Sequence, residues 1–311
     1  MQKLTGTIVP LVTPFAADDK SIDHHALEGL VEFITRQGAD GLMPTALTGE
    51  GPLLSPEEML EVWEVVFRVA GHTHPIIPAI ISTTTRTALR LAATAEQKGA
   101  AAIMAAPILP ELYAGRSVED IIRFYRDIAG VTSLPIILFN YPSLTGVDFL
   151  PALVQRLADI PSVAYIKEST GDTRRIHGIQ RLLGDRLEVI CGTPNTAFES
   201  LALGCRAWIT GIMNDVPRSC RQLLSALQEN QDLALARSIY FNQILPVVDV
   251  LAANFNPTGT IKAGVRARGV DVGTPRRPGH DVEPSEWRDI AALMDRIAAE
   301  EEKTGKLLGR S

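Results

Sequence analysis

A lysine that closes an apolar, β-branched run is the residue of this chain whose setting most invites chemistry. It is Lys167, in Ser162-Val163-Ala164-Tyr165-Ile166-Lys167-Glu168-Ser169-Thr170. The other lysines, Lys3, Lys20, Lys98, Lys303 and Lys306, fall among polar residues or near the termini, and Lys262 lies on a stretch that reads as helix. A lysine partly stripped of water titrates at lower pH and attacks carbonyl carbons as the free amine. The competing reading is a strand-end lysine paired with Glu168. The window alone leaves the two balanced.

The elements that must position this lysine are legible as an alternation. Strand-like runs occur at Thr7 to Val12, Gly41 to Pro44, Ile76 to Ile81, Ala101 to Ala105, Pro135 to Phe139, Val163 to Lys167, Leu187 to Cys191 and Ala207 to Thr210. Amphipathic stretches follow them at roughly 23–37, 55–70, 86–98, 117–129, 148–158, 172–184, 194–203 and 215–228. Repeated strand-then-helix units with short connections predict an α/β fold, a (β/α)8 TIM barrel. An open doubly wound sheet is the alternative, but no Gly-x-Gly-x-x-Gly follows the first strand. The firmest boundary is Ser55-Pro56-Glu57-Glu58, a cap, a proline at the first helical position and an acid at the third. Beyond residue 230 the alternation gives way to helices at about 231–252, 259–268 and 284–302, broken by the Pro- and Gly-rich segment from Asp271 to His280. The chain therefore divides into a barrel over 1–228 and a C-terminal helical extension over 229–311, with a tail expected to fray from about Glu300.

Composition narrows the partners. The 311 residues carry a net charge of −6 with no basic patch, which argues against nucleic acid and anionic membranes and for a small metabolite. No apolar run reaches membrane-spanning length and the first residues do not resemble a signal peptide, so a cytoplasmic location is expected. Cys191, Cys205 and Cys220 lack metal-ligand spacing and read as reduced packing residues. His24-His25 and His72-Thr73-His74 are the close histidine pairs, without the acidic or cysteine partners a metal needs. Neither a metal nor another cofactor is expected.

In a barrel, chemistry gathers at the carboxyl ends of the strands. Those ends carry Thr13-Pro14, then Thr45-Ala46-Leu47-Thr48-Gly49-Glu50, then Phe139-Asn140-Tyr141-Pro142, then Lys167-Glu168. His72 and His74 precede the third strand and belong to the opposite face. A lysine amine at the mouth suits Schiff-base chemistry, in which a protonated imine withdraws electrons so that a neighbouring C–C bond forms or breaks. Such chemistry also needs a proton-moving group and donors for a carboxylate, and the backbone around Thr48-Gly49-Glu50 can supply the donors.

Together these segments resemble the family of dihydrodipicolinate synthase and N-acetylneuraminate lyase, pyruvate-handling class I aldolases and lyases on a (β/α)8 barrel. The matching stretches are Gly6 to Phe15, Thr48-Gly49-Glu50, Asn140 to Gly146 and Ile166 to Gly171, with Asn256-Pro257 and Lys262 resembling the family's C-terminal helix. The likeness runs from about Leu4 to about Ala298. It implies that Lys167 forms the imine with pyruvate or a 2-keto acid and that Thr48 with its neighbours Gly49 and Glu50 holds the carboxylate. Leu47, Phe139, Leu144 and Ile209 complete the implied substrate contacts, and a homotetramer built as a dimer of dimers is the implied assembly.

The departures from the family pattern bear on turnover. Phe139 stands where the family usually has a tyrosine whose hydroxyl relays protons, and Leu47 replaces a threonine of the same relay. Leu144 occupies the place where the synthases typically have an arginine for a dicarboxylic substrate. True dihydrodipicolinate synthase activity is therefore disfavoured, and a 2-keto-3-deoxy sugar acid aldolase is the leading expectation. A keto-acid-binding protein without turnover and a 2-keto acid dehydratase are the alternatives. Tyr141, two positions after Phe139, and Tyr113, in a loop that carries a short insertion, are the candidate replacement hydroxyls.

Overall fold

The computed structural model describes residues 3–17, 21–82, 84–107, 117–254 and 256–309. Among them, eight parallel strands form one sheet: β1 (Gly6–Pro10), β2 (Gly41–Met43), β3 (Ala79–Ser82), β4 (Ile103–Pro107), β5 (Ile136–Asn140), β6 (Val163–Glu168), β7 (Glu188–Cys191) and β8 (Ala207–Ile209). Their order, β2-β1-β8-β7-β6-β5-β4-β3, leaves only β2 and β3 without a regular ladder. That seam is closed by a bridge between Leu42 and Ile76 and by hydrogen bonds from Ile77 N to Leu42 O (2.8 Å) and Ala79 N to Pro44 O (3.0 Å). The result is the expected (β/α)8 barrel, with strand ends shifted by up to three residues from the sequence reading.

The helices α1 (His24–Arg36), α2 (Pro56–Ala70), α3 (Thr85–Gln97), α4 (Val118–Ala129), α5 (Pro142–Thr145), α6 (Pro151–Leu157), α7 (Thr173–Leu183), α8 (Ala197–Ala202) and α9 (Pro217–Gln228) intervene. The start of α2 is the predicted one: Ser55 accepts from Glu58 N while the Glu58 carboxylate accepts from Ser55 N. Strand alternation divides the apolar residues between two cores. Ile8, Met43, Ile81, Met104, Ile137, Phe139, Tyr165, Ile190 and Ile209 fill the barrel interior. Val9, Leu42, Ile80, Leu138, Ile166, Val189 and Trp208 pack outward against the helices.

The C-terminal extension comprises α10 (Leu233–Ile239), α11 (Leu245–Ala253), α12 (Pro257–Ala267) and α13 (Pro284–Leu307). The single helix expected over 231–252 is divided by a π-helical turn, Tyr240–Ile244, in which Leu245 N reaches back to Tyr240 O. Pro246 explains the loosening, since it has no N–H to donate into the ordinary ladder. The tail expected to fray from Glu300 is instead helical to Leu307. Glu301 anchors it: this carboxylate is 1% exposed, accepts from Ser219 N and Oγ (3.1 and 2.8 Å) and pairs with Arg268 (2.5 Å). Charge density misread as a solvated end was a buried partner for α9 and α12.

Removing that partner strands the Arg268 guanidinium and the Ser219 N–H. Glu301→Ala is therefore expected to cost about 3 kcal/mol, read as a lower urea midpoint at unchanged m value.

Candidate active site

β6 decides how Lys167 is presented. Tyr165 points into the barrel and Ile166 out of it, so Lys167 points in and Glu168 out. Glu168 is 4% exposed and accepts from Asn140 Nδ2 (2.8 Å) and Thr170 N (2.7 Å). Asn140 in turn accepts from Phe149 N (3.0 Å). The Lys167–Glu168 ion pair weighed from sequence is not formed. Among the described residues Lys167 makes neither a hydrogen bond nor an ion pair, and its Nζ lies 4.7 Å from the centre of the Phe139 ring.

Lys167 is 8% exposed, and burial brings its pKa down from 10.5 to about 8, with the neighbouring Cys191 opposing weakly. A shift of that size corresponds to about 3 kcal/mol of desolvation left uncompensated. The cation–π contact with Phe139 is too small to offset it, at about 1 to 2 kcal/mol. Lys167 thus has far more free amine near neutral pH than an ordinary lysine, about a tenth at pH 7. Cys191 is the opposite case: burial pushes its thiol up to about 11, so it stays a neutral packing group.

The amine faces a cavity of about 530 Å³ at the carboxyl ends of the strands. Of the residues singled out from sequence, Leu47, Thr48, Phe139, Tyr141 and Leu144 line it with Lys167. Tyr141 has left the strand, is 39% exposed, and sets its ring 6.0 Å from that of Phe139. No hydroxyl among the described residues bonds to the Lys167 amine. Tyr113 lies outside the described residues.

Gly49, Glu50 and Ile209 do not line the cavity. Ile209 is sealed in the barrel interior. Gly49 is shaped by the turn: a Cβ there would sit 2.5 Å from Leu11 O, and its own carbonyl accepts from Thr13 Oγ1 (2.7 Å). Glu50 has φ 56° and turns its carboxylate away from the cavity toward Lys262 Nζ, 2.9 Å distant. The turn still keeps a donor for an anion at the cavity, because the Thr48 N–H makes no backbone hydrogen bond among the described residues. Thr45, the other hydroxyl of this loop, is consumed, donating to Pro44 O and Ala79 O and accepting from Trp63 Nε1 (2.9 Å).

The rest of the lining went unread in the sequence. Ser169, Gly192, Thr193 and Asn195 follow β6 and β7, and Thr210 and Gly211 follow β8. The strand-end rule that locates Thr48 and Lys167 also reaches the residues that follow β7 and β8. Pro257, Thr258 and Ile261 come from α12, which no strand-end rule reaches. His72 and His74 border a separate cavity at the other end of the barrel, with Lys3 and Leu4. Among the described residues no cluster of His, Cys, Asp or Glu is arranged to hold a metal ion, and no helix is long and apolar enough to cross a membrane.

The lowered pKa fixes a sign. Between pH 8 and 10.5 the unfolded chain holds a proton on Lys167 that the folded chain has lost, so the lysine's contribution to stability grows more favourable as pH rises through that window. Labelling of Lys167 by a small amine-reactive reagent, followed by peptide mass spectrometry, is expected to be half-maximal near pH 8. A midpoint near 10.5 would contradict the buried amine.

The model of the dihydrodipicolinate synthetase family matches residues 3–297. A 4-hydroxy-tetrahydrodipicolinate synthase of Thermodesulfovibrio yellowstonii is 34% identical over 253 residues, 81% of this chain and 84% of that protein. The structure of the 4-hydroxy-tetrahydrodipicolinate synthase from Methylacidiphilum fumariolicum SolV superposes with a TM-score of 0.89 at 27% identity, covering 98% of this chain and 99% of that one. A dihydrodipicolinate synthase from Acinetobacter baumannii, solved in complex with pyruvate, gives 0.85 at 28% identity over 95% and 99% of the two chains. With the barrel, the buried lysine and a match along nearly its whole length, this chain belongs to the dihydrodipicolinate synthetase family, whose members are lyases of the class I aldolase type.

Proposed function

We infer that the protein is a Schiff-base lyase that cleaves a 2-keto-3-deoxy sugar acid and releases pyruvate. The observation that carries this reading is the unpaired, buried amine of Lys167 at a cavity that also holds Thr48. The pyruvate held by the Acinetobacter relative supports a keto acid as the ligand. In this reading the Lys167 amine attacks the C2 carbonyl and water departs, leaving an iminium. The C3–C4 bond then breaks: the C4 hydroxyl loses its proton as an aldehyde forms, and the bonding electrons move into the iminium to give an enamine. Protonation at C3 and hydrolysis of the imine free pyruvate and the amine. Thr48 and its neighbouring amides hold the carboxylate, and Tyr141, the tyrosine on this cavity, is assigned the proton relay that Phe139 lacks the hydroxyl to perform.

Two features of the lining support a neutral, hydroxyl-bearing substrate tail. Lys167 is the one cationic side chain among the described residues that line the cavity, so those residues offer no second cation to a second carboxylate. Thr193, Asn195 and Thr258 offer hydroxyl and amide groups on the cavity wall. The names of the curated relatives favour a second reading, 4-hydroxy-tetrahydrodipicolinate synthase, against which stand Leu144 and the absence of an arginine among the described lining residues. A homotetramer acting in the cytoplasm completes the proposal.

Borohydride reduction with pyruvate is expected to add a stable adduct at Lys167, absent in Lys167→Met. An unlabelled wild-type lysine beside a labelled control enzyme removes the imine reading. Product analysis separates the activities: pyruvate plus an aldehyde for the aldolase, loss of water with an intact carbon chain for a dehydratase, and 4-hydroxy-tetrahydrodipicolinate for the synthase. Phe139→Tyr, alone or with Leu47→Thr, is expected to raise kcat by on the order of a hundredfold where proton relay limits the rate. If the wild type turns nothing over and these variants gain activity, the protein is a keto-acid binder that has lost its chemistry.

A further inference from the structure

Lys167 is not the only lysine taken out of water. Lys262, on α12, is fully buried, pairs with Glu50 at 2.9 Å, donates to Thr274 O at 2.9 Å and sits 4.5 Å from the centre of the Phe15 ring. Glu50 also accepts from Arg276 N (2.8 Å), and the Arg276 guanidinium lies 4.3 Å from the centre of the same Phe15 ring while pairing with Glu58 (2.7 Å). Four separate parts of the chain thus meet behind the cavity.

The pair joins two walls of that cavity. Glu50 ends the turn that presents Thr48, and Lys262 follows Ile261, which lines the cavity with Pro257 and Thr258 from the same helix. Stability alone is a poor reason for such a pair, because two well-packed apolar side chains usually hold buried elements together at no greater cost. Glu50 additionally sits in the left-handed region, at a cost of about 1 kcal/mol for a residue with a side chain. What charge adds here is a fixed direction and distance.

We propose that Glu50 and Lys262 are positioning residues for substrate carboxylate binding: their ion pair locks the Thr48 turn to α12, so that the anion-holding amides keep their place relative to Lys167. Neither side chain touches substrate. The proposal rests on the reading of Lys167 as an imine-forming lysine that takes keto acids. It differs from a purely structural role in being selective for ligands that carry a carboxylate.

The test compares borohydride trapping of Lys167 by pyruvate and by acetone, which offers the same ketone without the carboxylate. Glu50→Gln keeps the shape of the side chain and can still accept from Arg276 N, and Lys262→Met removes the charge from the other side. Arg268→Met, which breaks the comparably buried Arg268–Glu301 pair at the C-cap of α12 and leaves the Glu50 link intact, is the stability control. Both cavity-side variants are expected to raise half-saturating pyruvate by on the order of tenfold or more while acetone labelling stays as in the wild type. Arg268→Met is expected to lower the melting temperature and leave pyruvate half-saturation unchanged. If Lys262→Met does not fold, Glu50→Gln decides alone. Unchanged pyruvate half-saturation in Glu50→Gln, or an equal loss of pyruvate and acetone labelling, overturns the positioning role while leaving the imine intact. A wild type that pyruvate does not label overturns the imine reading and this proposal with it.

Discussion

The strict alternation of side chains along β6 is the constraint on which the site depends. Because Tyr165 belongs to the barrel interior, Lys167 must follow it inward and Glu168 must face out. A one-residue slip would exchange them, putting an acid in the mouth and the amine against the helices. The register with β5 and β7, Lys167 opposite Phe139 and Ile190, holds the strand against that slip. Glu168 then makes its own hydrogen bonds to Asn140 and Thr170, so the carboxylate nearest in sequence is occupied and the amine stays unpaired.

The extension is part of the site's architecture and not a cap on a finished barrel. α12 supplies a wall of the cavity with Pro257 and Ile261 and, from its next residue, the buried ammonium that meets Glu50. α13 holds α12 and α9 through Glu301. Each of these charges is inside the protein, and each has a partner of opposite sign, as burial demands. Lys167, by contrast, has no ion-pair partner among the described residues and faces the open cavity.

Much of this was legible in the residues. Alternating strand and helix patterns, the capping box at Ser55 and the inward lysine come from short-range rules of periodicity and hydrogen bonding, which act within a few residues and so survive in sequence. Glu50 was placed in the site by its neighbours in the chain and leaves it in space, because a left-handed residue redirects a side chain in a way that residue type does not disclose. Lys262 looked like one more helix lysine, since its burial depends on Phe15 and Glu50, more than 200 positions away in sequence. Thr258 and Ile261 were missed for the same reason. The tail at Glu301 was misjudged because charge usually signals solvent, and only the tertiary contact with Arg268 reverses that rule.

The cavity gathers residues from Leu47 to Ile261, and the barrel closes by pairing β1 with β8, where the side chain of Asn214 bonds both Pro10 O and Val12 N. During synthesis, therefore, one edge of β1 waits unpaired while about 200 residues emerge, a matter of tens of seconds at ribosomal rates. An exposed strand edge of that kind is a template for wrong pairing. The single-file order of the strands that makes the mouth so well defined also leaves the newborn chain with an unpaired edge on β1 until its eighth strand arrives.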